Sequence, residues 1–209
     1  SAQITDGTVA FWLNNGAENR NLAVKPWRQN LSGEARDSFP VLTMNHHEVV
    51  LKDLKHKSIR TEKDLREFAK EVNDGEQFCN AILENDIEMN SDVPWTPIGT
   101  KAHCWRGSFD GQGYTISGLK CSVAKNSNEG AGLFGTVDVH ADIRNVILDE
   151  SCEIENNSAT VAGGIVGTIR SHLCGDVLIR NCGNYGKING YQHVGGILGR
   201  VINDPKEHS

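Results

Sequence analysis

The sequence predicts a mainly β protein: a parallel β-solenoid with an N-terminal capping helix and a leading mixed segment. The first observation is the placement of glycine, since of 22 glycines in 209 residues five lie in residues 1–106 and 17 lie in residues 107–209. Because glycine destabilises helix interiors, we expect short strands and turns in the second half of the chain. The other two observations are a change of hydrophobic period near residue 78 and an internal repeat.

The chain is predicted to divide into a leading β-containing segment, residues 1–57, and a solenoid with its cap, residues 58–209. In the leading segment, the apolar run Thr8–Leu13 continues into Asn14–Gly16, a turn signal. The stretch His46–Leu51 has the composition of a strand.

The capping helix is predicted at residues 61–74. Thr61 is a candidate N-cap residue, and Asp64 follows three positions later, which is close to a capping-box arrangement. Gly75 is placed to end the helix. The apolar residues fall at helical spacing and form a single stripe: Leu65, Phe68, Ala69 and Val72.

From Phe78 onward, the alternation of side chains predicts strands. Residues 81–88 alternate with period two, and residues 114–119 do so again. The glycine-rich stretch Gly107–Gly113, which precedes the second alternation, is predicted to be a turn.

The internal repeat predicts the solenoid. Three blocks share the pattern Gly-apolar-apolar-Gly, with their last glycines 32 residues apart: Gly132–Gly135, Gly164–Gly167 and Gly196–Gly199. The sequence Ile-Arg-Asn also recurs, at 143–145 and 179–181. We predict stacked coils with aliphatic side chains inside and with Gly and Asn at the corners, where positive φ or amide ladders are needed. Since an open coil end exposes strand edges, the helix is placed to cap one end.

The order and spacing of these motifs resemble those of GLUG-motif proteins over about residues 58–201. The resemblance includes the stretches Ile59–Gly75, Trp95–Gly99 and Phe109–Leu119 as well as the glycine blocks. GLUG motifs occur in bacterial surface proteins and beside the protease domain of the M26 immunoglobulin A peptidases. The resemblance implies a right-handed parallel β-helix with an adhesive or scaffolding role, and it supplies no catalytic residues.

Charge and hydropathy exclude two classes of partner. The net charge of −6 argues against binding to a nucleic-acid backbone. No apolar run approaches the roughly 18 residues of a transmembrane segment. Because the chain begins at Ser1, we expect a part of a longer protein, attached to the cell surface through regions outside this chain. The resemblance implies an extracellular or cell-surface location.

Cysteine usage leaves two alternatives open, disulfides of a secreted protein or buried free thiols. No Cys-x-x-Cys pair occurs among the six: Cys79, Cys104, Cys121, Cys152, Cys174 and Cys182. His103 precedes Cys104, but neighbours in a strand point to opposite faces, so a base would have to come from elsewhere, for example His172 or His193. We do not expect catalysis at this thiol.

Aromatic side chains are the candidate ligand-binding residues, because flat rings on a solenoid face can stack on sugars or anchor a protein partner. The candidates flank glycine-rich turns and the second Ile-Arg-Asn repeat: Trp95, Trp105, Tyr114, Tyr185 and Tyr191. Local packing under loops and at the cap is the alternative explanation for these residues.

No metal site is expected, with one weak candidate. Glu84, Asp86 and Glu88 alternate on a predicted strand, so their carboxylates would share one face. A solvated strand face is the simpler interpretation. His47 and Glu48 begin a zinc-protease-like sequence, but position 51 is Leu instead of the second His.

A second stretch, Asp110–Gly113, is expected to be a turn. It lacks the ligand spacing of a calcium loop, and no lysine follows as in a phosphate-binding loop.

We predict a non-enzymatic, cofactor-free module of a bacterial cell-surface adhesin or scaffold that binds a host or glycan ligand non-covalently. One alternative is a β-helix polysaccharide lyase or hydrolase that uses the acidic residues around Asp86. The other is a non-catalytic accessory region of an M26-type immunoglobulin A protease.

Overall fold

The computed structural model describes Gly7 and residues 9–11, 13–14, 27–49, 55–122, 130–156, 161–171 and 176–203. The chain forms two compact units, Ser1–His56 and Lys57–Ser209.

The first unit is mostly irregular where it is described. Residues 9–11 and 13–14 are helical, and an antiparallel bridge joins Arg28 to Val41. The strand predicted at 46–51 is absent from residues 46–49, while residues 50 and 51 lie outside the described part. Side-chain hydrogen bonds replace a ladder there: His46 Nδ1 lies 2.7 Å from an Asp37 carboxylate oxygen, and the His47 amide donates to Asn30 Oδ1 at 2.9 Å.

The predicted helix is confirmed as α1, Glu62–Asn73. The Thr61 hydroxyl accepts from the Asp64 amide, and the Asp64 carboxylate accepts from the Thr61 amide, which completes a capping box. Gly75 has a φ of 123°. The amides of Gly75 and Glu76 donate to the carbonyl groups of Val72 and Glu71, both at 3.0 Å, so a Schellman motif ends the helix.

From His56 onward, the described residues form 17 short strands, each of two to six residues. In chain order, β1 to β17 are His56–Ile59, Asn80–Leu83, Ile87–Glu88, Ser108–Asp110, Thr115–Ser117, Lys120–Ser122, Phe134–Asp138, Asp142–Arg144, Ile147–Leu148, Glu153–Asn156, Val161–Gly163, Val166–Ser171, Leu178–Arg180, Gly183–Asn184, Lys187–Gly190, His193–Gly195 and Leu198–Asn203.

These strands form five sheets, and from β2 onward consecutive strands belong to different sheets as the chain winds around a common core. Sheet I has the order β1-β2-β4-β8-β13, sheet II β3-β5-β9-β14, sheet III β6-β10-β15, sheet IV β11-β16 and sheet V β7-β12-β17. The pairings between successive coils are parallel. The predicted parallel β-solenoid is therefore confirmed, with about three turns.

We number the coils along the chain. Coil 1 is partial and contains β2, β3 and single bridges at Trp95, Ile98 and Trp105. Coil 2 runs from β4 to β7, coil 3 from β8 to β12 and coil 4 from β13 to β17. Helix α1 packs at the coil 1 end, where Phe68 makes an edge-on contact with Trp105 at a centroid distance of 6.5 Å.

The strand register reproduces the repeat. Phe134, Val166 and Leu198 are aligned in sheet V. The glycine that follows each of them is aligned as well, so Gly135, Gly167 and Gly199 lie one above another. In sheet I, Ile143 pairs with Ile179, so the two Ile-Arg-Asn sequences are stacked as well. The intervals of 32 and 36 residues each correspond to one coil.

The glycines of the repeat differ from the prediction in one respect. The first glycine of each block lies in a bend, as expected, but the last lies inside a strand and has no positive φ. A Cβ on Gly167 would come within 2.5 Å of the Gly130 Cα. These strand glycines therefore allow neighbouring backbones to approach closely instead of turning the chain.

Two predicted strands are interrupted by corners. Residues 81–88 form the end of β2 and the whole of β3, with a bend between them, and residues 114–119 contain only the three-residue β5. Gly118, with a φ of 67°, ends β5. Alternation continues across a sharp corner, so a period of two could not show where each strand stops.

Candidate functional site

Trp95 and Trp105 are not surface residues, so the prediction that they bind a ligand is wrong. Their side chains are 2% and 0% exposed. Each indole N–H donates to a carbonyl group, Trp95 to Leu133 at 3.1 Å and Trp105 to Cys79 at 3.0 Å. Because each indole N–H has a hydrogen-bond partner inside the protein, both rings can be part of the core at the end of the solenoid that α1 caps.

The three candidate tyrosines are exposed but do not all lie in the same coil of the solenoid. Tyr114 directly precedes β5 in coil 2, whereas Tyr185 and Tyr191 follow β14 and β15 in coil 4. Tyr185 and Tyr191 are 73% and 76% exposed. Their role in binding stays a prediction.

The three acidic candidates have separate environments. Glu84 pairs with Arg60, and Asp86 lies in the bend between β2 and β3, where its carboxylate accepts from the Thr115 amide at 2.8 Å. Glu88 is exposed on β3. Across the described ranges, no three His, Cys, Asp or Glu side chains are placed to hold a metal ion together.

Three of the five described cysteines, Cys104, Cys121 and Cys152, are buried, and the other two are partly buried. The five cysteines in the described residues are free, and Cys174 lies outside that part of the chain. Burial raises the pKa of Cys104 above its ordinary value, although Arg170 nearby opposes the change. His103 Nδ1 donates to the Asn73 carbonyl at 2.6 Å. Of the distant bases considered, His172 lies outside the described residues and His193 is exposed.

A polar groove lies at the corner between sheets I and II. It has a volume of about 370 Å³ and is lined by Asp110, Gln112, Gly113, Asn145 and Asn181. We call this feature the corner groove. Its residues come from coils 2, 3 and 4, so it runs along the solenoid axis.

The coil 2 part of the groove is a tight turn. Gln112 and Gly113 both have positive φ, 50° and 83°, and a Cβ on Gly111 would come within 2.3 Å of the Asn145 carbonyl oxygen. The Asp110 carboxylate accepts from the Gln112 amide at 2.9 Å. Asp110–Gly113 is thus the turn that the sequence predicts, and it fixes the position of the Asp110 carboxylate.

Asn145 and Asn181 extend the groove over the next two coils. Both residues are left-handed, with φ values of 55° and 52°. The Asn145 side-chain amide donates to Asp110 Oδ1 at 2.9 Å, and the Asn181 side-chain amide donates to Asn145 Oδ1 at 2.7 Å. The predicted asparagine corner is confirmed, and we call the Asp110–Asn145–Asn181 series the polar ladder.

Two arginines flank the polar ladder. Arg144 donates to Asp110 at 3.1 Å and to Asp142 at 3.2 Å. Arg180, one coil further on, donates to Asp142 at 3.0 Å. Asp142 is buried, so its charge requires these two guanidinium groups. Two carboxylates are therefore matched by two guanidiniums beside the groove.

The chemistry of the groove suits a neutral polar ligand. Its lining offers amide donors, carbonyl acceptors and a carboxylate whose charge is compensated. The cavity is open and shallow, and it could take hydroxyl or amide groups of a ligand lying along the axis. None of the five lining residues is a serine, threonine, cysteine, lysine or histidine.

The sequence contains a signal for this site, although its motifs indicate structure and not binding. The repeated Ile-Arg-Asn identifies Asn145 and Asn181, and the turn at 110–113 is a separate feature. The two features come together because Asp110 pairs with Arg144 in sheet I. This pairing is set by the register between β4 and β8.

Among the described residues, no helix has the length and apolar character needed to cross a membrane. No protein-family model matches the chain, and no solved structure gives a significant match.

An alignment of 134 positions, which covers 58% of this chain, shows 31% identity to halomucin of Haloquadratum walsbyi. The match spans about 1% of the length of halomucin. The chain is therefore similar to a small part of a far longer protein.

Proposed function

We propose that the chain is a non-catalytic module of a cell-surface or secreted protein, which binds a saccharide in the corner groove and acts as a stiff spacer. The similarity to halomucin, a halophilic surface protein, supports the location. The resemblance to GLUG-motif proteins supports the same setting.

The corner groove is the observation that carries the proposed binding role. Three coils present hydrogen-bonding side chains in a line, at intervals set by the spacing of parallel strands, about 4.8 Å. A saccharide chain presents hydroxyl groups in series and carries little charge, so it matches a surface in which Asp110 and Asp142 are both paired with arginine. Tyr114, next to Gly113 in the chain, is exposed beside this turn.

A binding role is also supported by the state of the groups that an enzyme would need. Burial raises the pKa of all five described thiols above the ordinary value, and Glu84, Asp86 and Glu88 differ in their partners and positions. A glycoside hydrolase needs two carboxyl groups that face one bond. The two carboxylates at or beside the corner groove, Asp110 and Asp142, are instead paired with arginine guanidinium groups.

The test is a glycan array followed by titration calorimetry with the best saccharide. Asn181→Gly and Gln112→Gly remove groove side chains while keeping the left-handed backbone. Each should weaken binding by about tenfold, the equivalent of one hydrogen bond at about 1.4 kcal/mol. His140→Gly is the matched control, since His140 also has positive φ, 76°, but lies outside the groove. A parent chain that binds no saccharide, or groove variants that bind as tightly as the parent, would refute the proposal.

A further inference from the structure

The two ends of the solenoid differ. At the coil 1 end, α1 buries its apolar stripe, Leu65, Phe68, Ala69 and Val72, in the common core. The Asn73 side chain fixes the helix to the coil, accepting from the Gly99 amide at 2.8 Å and donating to the Pro97 carbonyl at 3.0 Å. The helix therefore covers the core at this end.

Within the described ranges, no strand or helix covers the coil 4 end. Apolar residues there are more exposed than those on which they stack: Val194 is 47% exposed above Ala162 at 0%, and Val201 is 59% exposed above Ile169 at 8%. Ile179 and Ile188 point into the core but are only half-buried, whereas their partners one coil below, Ile143 and Ile154, are fully buried.

The backbone amides of coil 4 point alternately toward coil 3 and away from it. The amides of Leu178 and Lys187 donate down to Ala141 and Cys152, at 2.8 and 2.9 Å. In a parallel ladder, successive residues bond to opposite sides, so the amides of the next residues, Ile179 and Ile188, face away from coil 3. Coil 4 therefore presents on its outer side the same pattern of backbone amides that coil 3 presents to coil 4.

The polar ladder shows the same continuity. Asn181 donates to Asn145 just as Asn145 donates to Asp110. The Oδ1 atom of Asn181 occupies the position in coil 4 that corresponds to Asn145 Oδ1, the acceptor atom in coil 3. Arg180 likewise repeats the position of Arg144. At these two positions, coil 4 offers upward the same side chains that coil 3 offers to coil 4.

We infer that the coil 4 end is an acceptor surface for a further parallel coil of the same repeat, with aliphatic residues inward and Asn at the ladder corner. The coil-on-coil interface already formed twice between complete coils continues onto this surface without change of register. The much greater length of halomucin is compatible with additional coils in such proteins. This inference does not depend on the proposed saccharide.

The test extends the whole chain after Asn203 with a second copy of residues 172–203 and follows amide hydrogen exchange. The added coil should slow exchange at Ile179 and Ile188 by about tenfold or more, with a smaller effect at Leu178 and Lys187. It should also raise the unfolding midpoint. The matched control carries the same extension with its inward isoleucines, copies of Ile179 and Ile188, replaced by Asp.

Equal protection by the parent and control extensions, or no protection by either, would overturn the inference. So would self-association of the unextended chain that protects the same amides and is abolished by Ile188→Asp, since a second copy would then be the occupant. Sedimentation velocity of the unextended chain distinguishes this outcome, and we expect a monomer.

Discussion

The side-chain amide of Asn181 donates a hydrogen bond to Asn145 Oδ1 across 2.7 Å, although the two residues are 36 positions apart. Both have the left-handed backbone, which asparagine adopts more readily than other side chains that carry a Cβ. One residue type therefore turns both coil 3 and coil 4 and joins the two coils to each other. The same pair lines the corner groove, so the features that stabilise the corner also form the candidate binding surface.

Asn145 should contribute to stability in two separable ways. Asn145→Gly keeps the backbone but removes the bonds to Asp110 and Asn181, and it should lower the free energy of unfolding by about 1–2 kcal/mol. Asn145→Ala should cost about 1–2 kcal/mol more, because its Cβ disfavours the left-handed region. Urea unfolding followed by circular dichroism measures both changes. Equal stability of the Gly and Ala variants would show that the positive φ is not retained in solution.

The capping box of α1 should make stability depend on acid pH. Hydrogen bonds, first from the Arg60 amide, hold the pKa of Asp64 below its ordinary value of 3.8. The folded state thus favours the carboxylate, and its contribution is complete above about pH 4 and is lost as the pH falls through the lowered folded pKa.

Asp64→Asn removes this titration. The difference in unfolding free energy between parent and variant should be constant from pH 7 to about pH 5 and should shrink below about pH 4. Asp92→Asn, at an exposed carboxylate in the loop after β3, is the control. A difference that grows on acidification would contradict the assigned direction.

Trp105 should be a stability residue. Trp105→Ala removes a fully buried ring that contacts Phe68 and Phe134, and it leaves the Cys79 carbonyl without its indole donor. We expect a loss of about 3–5 kcal/mol in unfolding free energy. Tyr114→Ala, at an exposed ring, should change it by no more than about 0.5 kcal/mol. Comparable losses for the two variants in urea titrations would contradict the burial of Trp105.

The thiols should be unreactive in the folded chain. Burial raises the pKa of Cys121 and Cys152 to about 11 and that of Cys79 to about 12, so almost no thiolate is present at neutral pH. A disulfide reagent should therefore react about a thousandfold more slowly with the native chain than with the unfolded chain.

The same thiols also decide between the two alternatives that the sequence leaves open. All five described cysteines should be alkylated on unfolding without a reductant, as peptide mapping would show. Alkylation only after reduction would demonstrate disulfides instead.

The repeat architecture could be predicted because period and stacking are linked. Residues 32 or 36 apart become neighbours, so the spacing alone identifies Gly135, Gly167 and Gly199 as a stack, and likewise pairs Ile143 with Ile179. The cap was predictable for a local reason, since Thr61 and Asp64 satisfy each other within one helical turn.

Burial of individual rings could not be predicted in the same way. Trp95 and Trp105 stand beside turns in the sequence, as surface residues do, but they pair with Cys121 and Val137 of the next coil and face the core. Likewise, the contact between the 110–113 turn and Asn145 depends on the register of β4 and β8, which no single motif contains.

Nuclear magnetic resonance of the backbone and side-chain amides, recorded during titration with the saccharide selected on the array, tests the central claim most directly. We expect the largest shifts at the NH₂ groups of Gln112, Asn145 and Asn181, which line the corner groove on three successive coils. Shifts confined to Tyr185 and Tyr191, with the three amides unchanged, would place binding on the exposed aromatic rings and contradict the claim.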